Sequence, residues 1–257
     1  MSDDLSRARN FVSSIELPTP RLGAASARAP SFDFDAAKDQ AMVVGSEIVS
    51  FVQGVTPEQR ADIVNAALLA QLGAKKLVPE PAKIDQLRTW YQKYFDVLSN
   101  VGFVTQQTNM QKYEVKGEGF EAHEAVLEVA ATLLTGSPTA LAVLTSTVKA
   151  LKKMDEGNSW LTIFNRESRS ANTAHFQVST VDRDPNGDLF VAMTAFGLEA
   201  KSKITQVLFF KFHKSETKIE NNAGKATINA TVLEGLRPLI SQKLLAHSTD
   251  YLGKLEI

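Results

Sequence analysis

The side chains that could support acid–base or metal chemistry are widely spaced along this chain. Its 4 histidines fall in separate predicted elements, without the His-x-His or His-x3-His spacing that is typical of a metal site. These residues are His123, His175, His213 and His247. We predict no metal site, and we expect His175 and His213 to be polar partners across neighbouring strands.

The clustered aspartates belong to a turn. Asp182, Asp184 and Asp188 flank the segment Asp184-Pro185-Asn186-Gly187, in which Pro and Asn-Gly predict a tight reversal of the chain. The sequence also lacks a Gly-x-Ser-x-Gly elbow, a phosphate loop and a dinucleotide-binding Gly-x-Gly-x-x-Gly motif. We therefore expect no enzyme activity, no catalytic residues and no cofactor. A hydrolase that uses His175, His213 and Asp182 is the weaker alternative.

The composition narrows the class of partner. The 257 residues include 28 Lys and Arg against 29 Asp and Glu, a formal charge of −1, whereas phosphate-backbone binding needs a clustered basic surface. Nucleic acid is therefore not expected as a partner. The chain has no cysteine, so it has no disulfide framework. We expect no Sec signal, and no run approaches the roughly 18–20 apolar residues that span a bilayer.

Residues 1–34 differ from the rest of the chain. They contain Pro18, Pro20 and Pro30 and show no apolar periodicity. We expect a flexible, protease-sensitive N-terminal tail over 1–34, followed by a single domain over 35–257. Arg21 and Arg28 are the candidate sites of proteolytic activation.

Helical hairpins are predicted mainly over 36–154. Apolar residues recur at steps of three and four between Asp35 and Gly54, after Thr56 and again before Val101, which predicts three helices. A second hairpin turns at Gly136-Ser137-Pro138 and is almost uncharged nearby. This hairpin is either a helix pair packed on a sheet or a segment that settles into a lipid interface.

Strands are predicted mainly over 158–230, where the apolar period changes from 3.6 to 2. Trp160 to Phe164 alternates, and so does the segment from Thr173 to Val181, with Phe176 and Val178 facing away from His175 and Gln177. The segment Leu189–Phe196, which follows the acidic turn, is predicted to be the second strand of a hairpin. Lys203 to His213 contains a continuous apolar run, which predicts a strand covered on both faces.

The last elements predicted are a turn at Asn221 to Gly224, a short strand over 226–230 and a C-terminal helix over 231–253, capped by Thr231. Together these elements indicate an α/β fold, in which helical layers cover both sides of a central sheet.

The segment from Trp160 to His213 resembles the Cyt family of bacterial cytolytic δ-endotoxins, which are single-domain, three-layer proteins of about this length. The matching features follow the same order along the chain: Trp160, Ala171-Asn172-Thr173, an acidic turn ending in Gly187, Phe190-Val191-Ala192-Met193, Ala195-Phe196 and Val207-Leu208-Phe209-Phe210. The resemblance covers residues 158–220 well, while 36–157 agrees in element order. The chain departs from the family at His175 and Gln177, where bulkier rings are usual, and in the polar loop Glu216–Lys225.

The resemblance implies an α/β fold that is a single domain in three layers, with a central antiparallel β-sheet wrapped by α-helical hairpins. It also implies a cytolytic, pore-forming or membrane-disrupting protein that binds phospholipid membranes after proteolytic trimming. The implied membrane-active strands are Thr173–Val181, Leu189–Phe196 and Ile204–His213. The residues expected to enter the membrane are Phe176, Val178, Leu189, Val191, Met193, Phe196, Val207, Phe209 and Phe210.

The resemblance also implies partners and a location. The partner is a phospholipid membrane, on which the protein forms a homo-oligomer after existing as a soluble monomer or dimer. The protein would be secreted or released from a bacterial cell without a Sec signal peptide, and would then act at the target-cell membrane. The alternative is a non-lytic bacterial virulence or effector protein of the same fold that binds a lipid or a host protein.

Overall fold

A mixed β-sheet lies at the centre of the molecule. The computed structural model describes residues 2–20, 33–105, 109–115, 117–155, 157–209, 211–245, 247 and 251–255. The strands are β1 Gln40–Val44, β2 Glu47–Phe51, β3 Phe103–Thr105, β4 Gln111–Lys112, β5 Gly119–Glu121, β6 Arg169–Ser170, β7 Thr173–Arg183, β8 Leu189–Ala200, β9 Lys211–His213, β10 Thr217–Ile228 and β11 Leu252–Leu255.

The order of strands in the sheet is β11-β1-β2-β7-β8-β10-β3, with β4 paired to β10 and β6 paired to β7. The strands β5 and β9 form a small separate sheet. Neighbours in the main sheet are antiparallel except β2 and β7, which run parallel. The expected central antiparallel sheet is therefore corrected to a mixed sheet. More than a hundred residues separate β2 from β7, and such a long connection allows the chain to return in the same direction.

Helices cover both faces of this sheet. They are α1 Ser2–Ser14, α2 Pro57–Leu77, α3 Ile84–Asn100, α4 Ala122–Leu133, α5 Pro138–Lys152, α6 Ser159–Ser168 and α7 Ala230–Leu244. One apolar cluster joins α1, α2, α3 and α7 to one face of the sheet, and a second joins α4, α5 and α6 to the other face. The prediction of a single α/β domain in three layers is confirmed.

The chain begins its sheet in a segment that was predicted to be helical. The region from Asp35 to Gly54 instead contains the hairpin β1–β2, whose residues are all buried. Strands that are covered on both faces carry continuous apolar runs, and such runs also satisfy a helical spacing. β-Branched residues such as Val43, Val44 and Ile48 favour the strand. Gly45, with φ of +56°, makes the reversal between the two strands.

The segment Trp160 to Phe164, predicted as a strand, belongs to helix α6. Asn158 caps this helix, since its side chain accepts a hydrogen bond from the Trp160 N–H at 3.0 Å. Leu161 and Phe164 are the buried pair, and their three-residue spacing places them on one helical face. The apparent alternation of Trp160, Thr162 and Phe164 was therefore coincidental.

The third long strand of the sheet lies later than predicted. Among the described residues of Ile204–His213, which exclude 210, only those of β9 form a strand, and Ile204, Val207 and Leu208 are buried in irregular structure. β10 runs instead through the predicted turn at Asn221 to Gly224 and pairs with the full length of β8. Pairing with β8 on one side and with β3 and β4 on the other outweighs the weak strand preference of Asn and Gly.

Several local signals in the sequence are confirmed. Thr56 and Gln59 form the reciprocal capping box of α2, α4 and α5 form the hairpin with Pro138 in the first turn of α5, and Gly187 turns the chain with φ of +88°. The C-terminal helix is shorter than predicted. It begins after Asn229, whose side chain accepts from the Val232 N–H at 3.2 Å, and not at Thr231.

The N-terminal region contains secondary structure where none was predicted. Helix α1 packs its apolar side into the cluster of α2, α3 and α7, and Val12 is completely buried. Leu5, Ala8, Val12 and Ile15 form an apolar stripe. The prediction that residues 1–34 show no apolar periodicity is therefore wrong for this helix, whose stripe is interrupted by charged residues. The candidate cleavage sites Arg21 and Arg28 lie outside the described residues.

Candidate functional site

The sheet face beneath α4 and α5 holds Phe176, Val178 and Phe196 of the predicted membrane-insertion set. Phe176 and Phe196 stack at 5.3 Å between ring centroids, and Val178 lies next to them on β7. Val207 is buried in the same apolar cluster, and Phe209 packs against its edge. The sequence prediction that Phe176 and Val178 face away from His175 and Gln177 is confirmed, because the two pairs contact opposite helical layers.

The remaining insertion candidates do not share that face. Leu189, Val191 and Met193 lie on the other face of β8, in the cluster formed with α1, α2, α3 and α7. Alternation along a strand sends successive side chains to opposite faces, so the nine predicted residues cannot form one continuous surface. Phe210 lies outside the described residues.

The hairpin α4–α5 covers its sheet face through apolar side chains. Val126, Val143, Leu144 and Val148 are buried there. A buried hydrogen bond between hydroxyls crosses the interface, from Ser50 Oγ on β2 to Thr147 Oγ1 on α5 at 3.0 Å. The interface therefore depends mainly on the area of apolar surface that it removes from water.

The outer surface of this hairpin is also partly apolar. Leu127, Val129, Leu133 and Leu141 pack against the cluster while remaining partly exposed. None of the helices in the described ranges combines the length and the apolarity needed to cross a bilayer. With a buried inner face and a partly exposed apolar outer face, the hairpin is an amphipathic cover of the sheet.

A cavity of about 370 Å³ opens on the opposite side of β7, between α2, α6 and the segment that precedes α3. Its lining mixes charged, hydroxyl, amide and aromatic side chains. The lining residues are Ser46, Gln71, Leu72, Lys75, Pro79, Glu80, Pro81, Trp90, Arg166, Glu167, Arg169, Ser170, Ala171, His175 and Tyr251.

Three cations line this cavity. Lys75 Nζ donates to Glu167 Oε2 at 2.8 Å, and Arg166 Nε donates to Glu167 Oε1 at 2.7 Å. The Glu167 side chain is only 4% exposed, so one buried carboxylate holds both cations at the cavity wall. Arg169 donates to the main-chain carbonyls of Ile204 and Thr205, which carry no net charge.

His175 is the buried polar residue at this wall. Its ring lies 4.3 Å from the ring of Trp90, and its Nδ1 has no hydrogen-bond partner among the described residues. Burial, reinforced by the positive charge of Lys75, lowers the pKa of His175 to about 3. The imidazole is therefore neutral at pH 7.

A buried polar network forms the floor of the cavity. Ser46 Oγ lies 3.1 Å from Gln71 Oε1 and 3.1 Å from Gln177 Oε1, and Gln71 Nε2 donates to the Val44 carbonyl at 2.8 Å. Gln177 Nε2 continues the network to Tyr91 OH at 2.9 Å. These contacts join β1, β2, β7, α2 and α3 through side chains that water does not reach.

Glu47 is the acidic group of this network. It accepts hydrogen bonds from Ser179 Oγ at 2.6 Å and from Tyr94 OH at 2.8 Å, and a longer one from Gln71 Nε2 at 3.4 Å. Its complete burial raises the pKa of the carboxyl despite these donors. The pKa of the Tyr94 hydroxyl is raised as well, by burial and by the neighbouring Glu47.

The residues of the alternative hydrolase prediction are not brought together. His175 and Asp182 stand at opposite ends of β7, about 23 Å apart at the usual rise along a strand, and His213 ends β9 in the small separate sheet. Within the described residues, no group of three or more His, Asp or Glu side chains is arranged to hold a metal ion.

The cavity was not predicted, although the sequence contains one pattern that indicates it. The alternating residues His175, Gln177 and Ser179 placed a polar stripe on one face of β7. A polar stripe on a strand that is covered by helices indicates a buried site, since such groups require partners. The partners themselves, Glu47 and Gln71, come from distant elements and follow no common spacing.

Comparisons with known proteins find distant structural similarity to solved structures. No protein-family model matches the chain, and no curated protein matches it. Among solved structures, one titled delta-endotoxin is similar with a TM-score of 0.38 and 13% identity, covering 86% of this chain and 96% of its own. The structure of the Evf virulence factor is similar with a TM-score of 0.32 and 12% identity, covering 78% of this chain and 84% of its own. Similarity at this level carries no conclusion about function.

Proposed function

We propose that this protein is a cytolysin-like, membrane-disrupting protein, in which the hairpin α4–α5 leaves the sheet and the uncovered apolar face meets phospholipid. The observation that carries this proposal is the interface described above. A hairpin that has no charged residue from Val129 to Val148 covers a sheet face that includes the stacked rings of Phe176 and Phe196.

An apolar interface of this kind can exchange its cover for lipid at small cost. Contacts between apolar side chains are non-directional, so acyl chains can replace Val143, Leu144 and Val148 as neighbours of the sheet. A buried polar interface would lose its hydrogen-bond partners in the same step. Here the buried hydroxyl pair Ser50–Thr147 is a small polar contribution.

The connections of the hairpin permit this movement. At its N-terminal end, the chain passes through Gly117, with φ of +90°, before it enters β5. At its C-terminal end, a short segment that contains Gly157 joins α5 to α6. The strand β5 leads directly into α4 and pairs with β9, so in this proposal β5 moves with the hairpin, and backbone rotation takes place at Gly117 and Gly157.

The lengths of the elements distinguish their roles at a bilayer. Helix α5, with 15 residues, extends about 22 Å, which is shorter than the apolar core of a bilayer at about 30 Å. In this proposal the hairpin lies in the interface. The strands β7 and β8, of 11 and 12 residues, are long enough to enter further, and their backbone groups would then have to pair within an assembly of several copies.

A disulfide between the hairpin and the sheet tests the proposal. The protein has no cysteine, and the hydroxyl oxygens of Ser50 and Thr147 are already 3.0 Å apart, so the double substitution Ser50→Cys and Thr147→Cys introduces a single internal pair. Intact and trypsin-trimmed proteins are added to phosphatidylcholine–phosphatidylglycerol vesicles that contain a self-quenched dye. We expect the oxidised double variant to release no dye, and reduction to restore release.

The controls separate movement of the hairpin from loss of fold. Each single cysteine variant must release dye like the unmodified protein, and circular dichroism must be the same before and after reduction. Equal release by the oxidised and reduced double variant would refute movement of the hairpin. An absence of release by the unmodified protein, both intact and trimmed, would refute membrane disruption and favour the non-lytic effector.

A further inference from the structure

The described residues that line the cavity beside His175 carry more positive than negative charges. Lys75, Arg166 and Arg169 line it together with two carboxylates, Glu80 and Glu167. Glu167 accepts from both Lys75 and Arg166, while Arg169 is held by main-chain carbonyls. The lining therefore carries one more positive than negative charge, concentrated at one wall, and this favours an anionic occupant.

The geometry of the cations is fixed in advance. Glu167 is almost fully buried and holds Lys75 from α2 and Arg166 from its own helix. Lys75 Nζ also lies 5.3 Å from the centre of the Tyr251 ring. Side chains restrained in this way lose little conformational freedom when a ligand binds.

His175 provides the second, independent observation. It is a buried polar side chain, 7% exposed, in the cavity wall, and its Nδ1 lacks a hydrogen-bond partner among the described residues. Buried polar atoms in folded proteins are normally paired. This atom is enclosed in the wall, so a small shift of the neighbouring side chains would let a polar group of a bound molecule complete the pairing.

The remaining walls indicate what else the occupant carries. Trp90 and Tyr251 present ring surfaces, and Ser46 and Gln71 present hydroxyl and amide groups at the floor. Aromatic faces beside hydroxyl and amide groups suit a molecule with both ring carbons and hydroxyls. An acyl chain would instead require an apolar channel, which does not fit this polar floor.

We propose that the cavity binds a water-soluble phosphorylated sugar or polyol, with its phosphate against Lys75, Arg166 and Arg169 and its hydroxyls toward His175 and the floor. This proposal does not depend on movement of the hairpin α4–α5, which lies on the other face of the sheet. The two proposals therefore fail separately, one in a binding assay and the other in dye release.

Trp90 makes binding measurable without a label. The substitution Trp160→Phe removes the other tryptophan of the chain and leaves Trp90, in the cavity wall, as the reporter. This protein is titrated with glucose 6-phosphate, inorganic phosphate and glucose, by fluorescence and by isothermal titration calorimetry. We expect saturable binding of glucose 6-phosphate, weaker binding of inorganic phosphate and the weakest binding of glucose.

Two neighbouring lysines supply the matched pair of variants. Lys75→Gln removes a cation from the cavity wall, whereas Lys76→Gln removes the next residue of the same helix, which pairs with Glu16 outside the cavity. We expect Lys75→Gln to weaken binding of glucose 6-phosphate about tenfold or more and Lys76→Gln to leave it unchanged. Arg169→Gln, at the rim, provides a second test and should also weaken binding about tenfold.

Three outcomes would overturn the proposal. The first is no heat and no fluorescence change with either phosphate compound at millimolar concentration. The second is equal affinity of the Lys75→Gln, Arg169→Gln and Lys76→Gln variants, each verified as folded by its unfolding transition. The third is binding to phosphatidylglycerol vesicles that depends on Lys75, without binding of the soluble phosphates, which would identify a lipid headgroup as the ligand.

Discussion

Glu47 is the residue whose chemistry is most altered by the fold. It is buried between the sheet and the pair α2–α3, and its hydrogen bonds come from Ser179, Tyr94 and Gln71. Burial raises the pKa of the carboxyl above its ordinary value of 4.5. The folded protein consequently retains this proton to a higher pH than the unfolded chain does.

This difference predicts a pH dependence of stability. The contribution of Glu47 to the free energy of unfolding is fully present below pH 4.5, the ordinary pKa, and decreases as the pH rises through the raised pKa. The substitution Glu47→Gln replaces the carboxyl with a group of the same shape that does not ionise. We expect the variant to become more stable relative to the unmodified protein as the pH rises from about 4 to 8.

Urea unfolding at several pH values measures this difference. Glu118→Gln, at an exposed position, is the control and should follow the unmodified protein. Parallel curves for the unmodified protein and Glu47→Gln would contradict an uncharged Glu47 in the fold.

At the residue scale, the sequence predicted the strand face on which a side chain lies better than it predicted that side chain's hydrogen-bond partners. Alternation along β7 correctly separated Phe176 and Val178 from His175 and Gln177, because the two-residue period is a local property. The partners of Glu47 come from positions 71, 94 and 179. No local pattern encodes contacts between such distant residues.

At the scale of elements, the turn between β1 and β2 depends on a glycine. Gly45 adopts φ of +56°, and a Cβ atom there would lie 2.4 Å from Gln71 Oε1. That oxygen accepts the hydrogen bond of the Ser46 N–H at 2.9 Å. The turn and the floor of the cavity therefore share one amide side chain.

We expect Gly45→Ala to destabilise the protein by about 2–4 kcal/mol, from strain at positive φ and from displacement of a buried hydrogen-bonded amide. Gly136→Ala is the matched control, because a Cβ atom at Gly136 meets no other atoms within 4 Å. The free energy of unfolding in urea measures both variants. Equal stabilities would mean that Gln71 moves without loss.

Strong local signals fixed some elements correctly, although α1 and α6 were not predicted as helices, whereas β1, β2 and β10, which depend on tertiary pairing, were not predicted as strands. The capping box at Thr56 and the Pro138 start of α5 fix helix boundaries through neighbouring residues. The strand β10 passes through Asn221 and Gly224 because β8 pairs along its length. The same reasoning accounts for β1 and β2, whose two covered faces leave no polar alternation to recognise.

At the scale of the whole molecule, helix α1 ties the N-terminus to the C-terminal helix. Its buried residue Val12 lies in the core shared with α2, α3 and α7, Arg9 donates to the Gly235 carbonyl at 3.4 Å, and Lys243 donates to the Ser13 carbonyl at 3.0 Å. A cut at Arg21 or Arg28 would leave α1 held by these contacts.

This docking predicts the products of trypsin. We expect cleavage at Arg21 and Arg28 in the unmodified protein while Arg7 and Arg9, within α1, are cut more slowly, because proteases require locally unfolded backbone. Val12→Asp places a charge in the core and should expose Arg7 and Arg9 to rapid cleavage. Mass spectrometry of timed digests measures the order. Early cleavage at Arg7 in the unmodified protein would contradict stable docking of α1.

The strand order has a further consequence for how the protein is made. The hairpin β1–β2 pairs on one side with β7, whose first residue is Thr173, and on the other with β11, at Leu252–Leu255. During synthesis, the hairpin emerges on the order of ten seconds before β7 can join it. Until then its apolar faces and unpaired edges lack their partners, and pairings between segments so distant in sequence form slowly. The nascent chain thus exposes an aggregation-prone hairpin for much of its translation, and we expect a chaperone that binds unfolded segments to protect it.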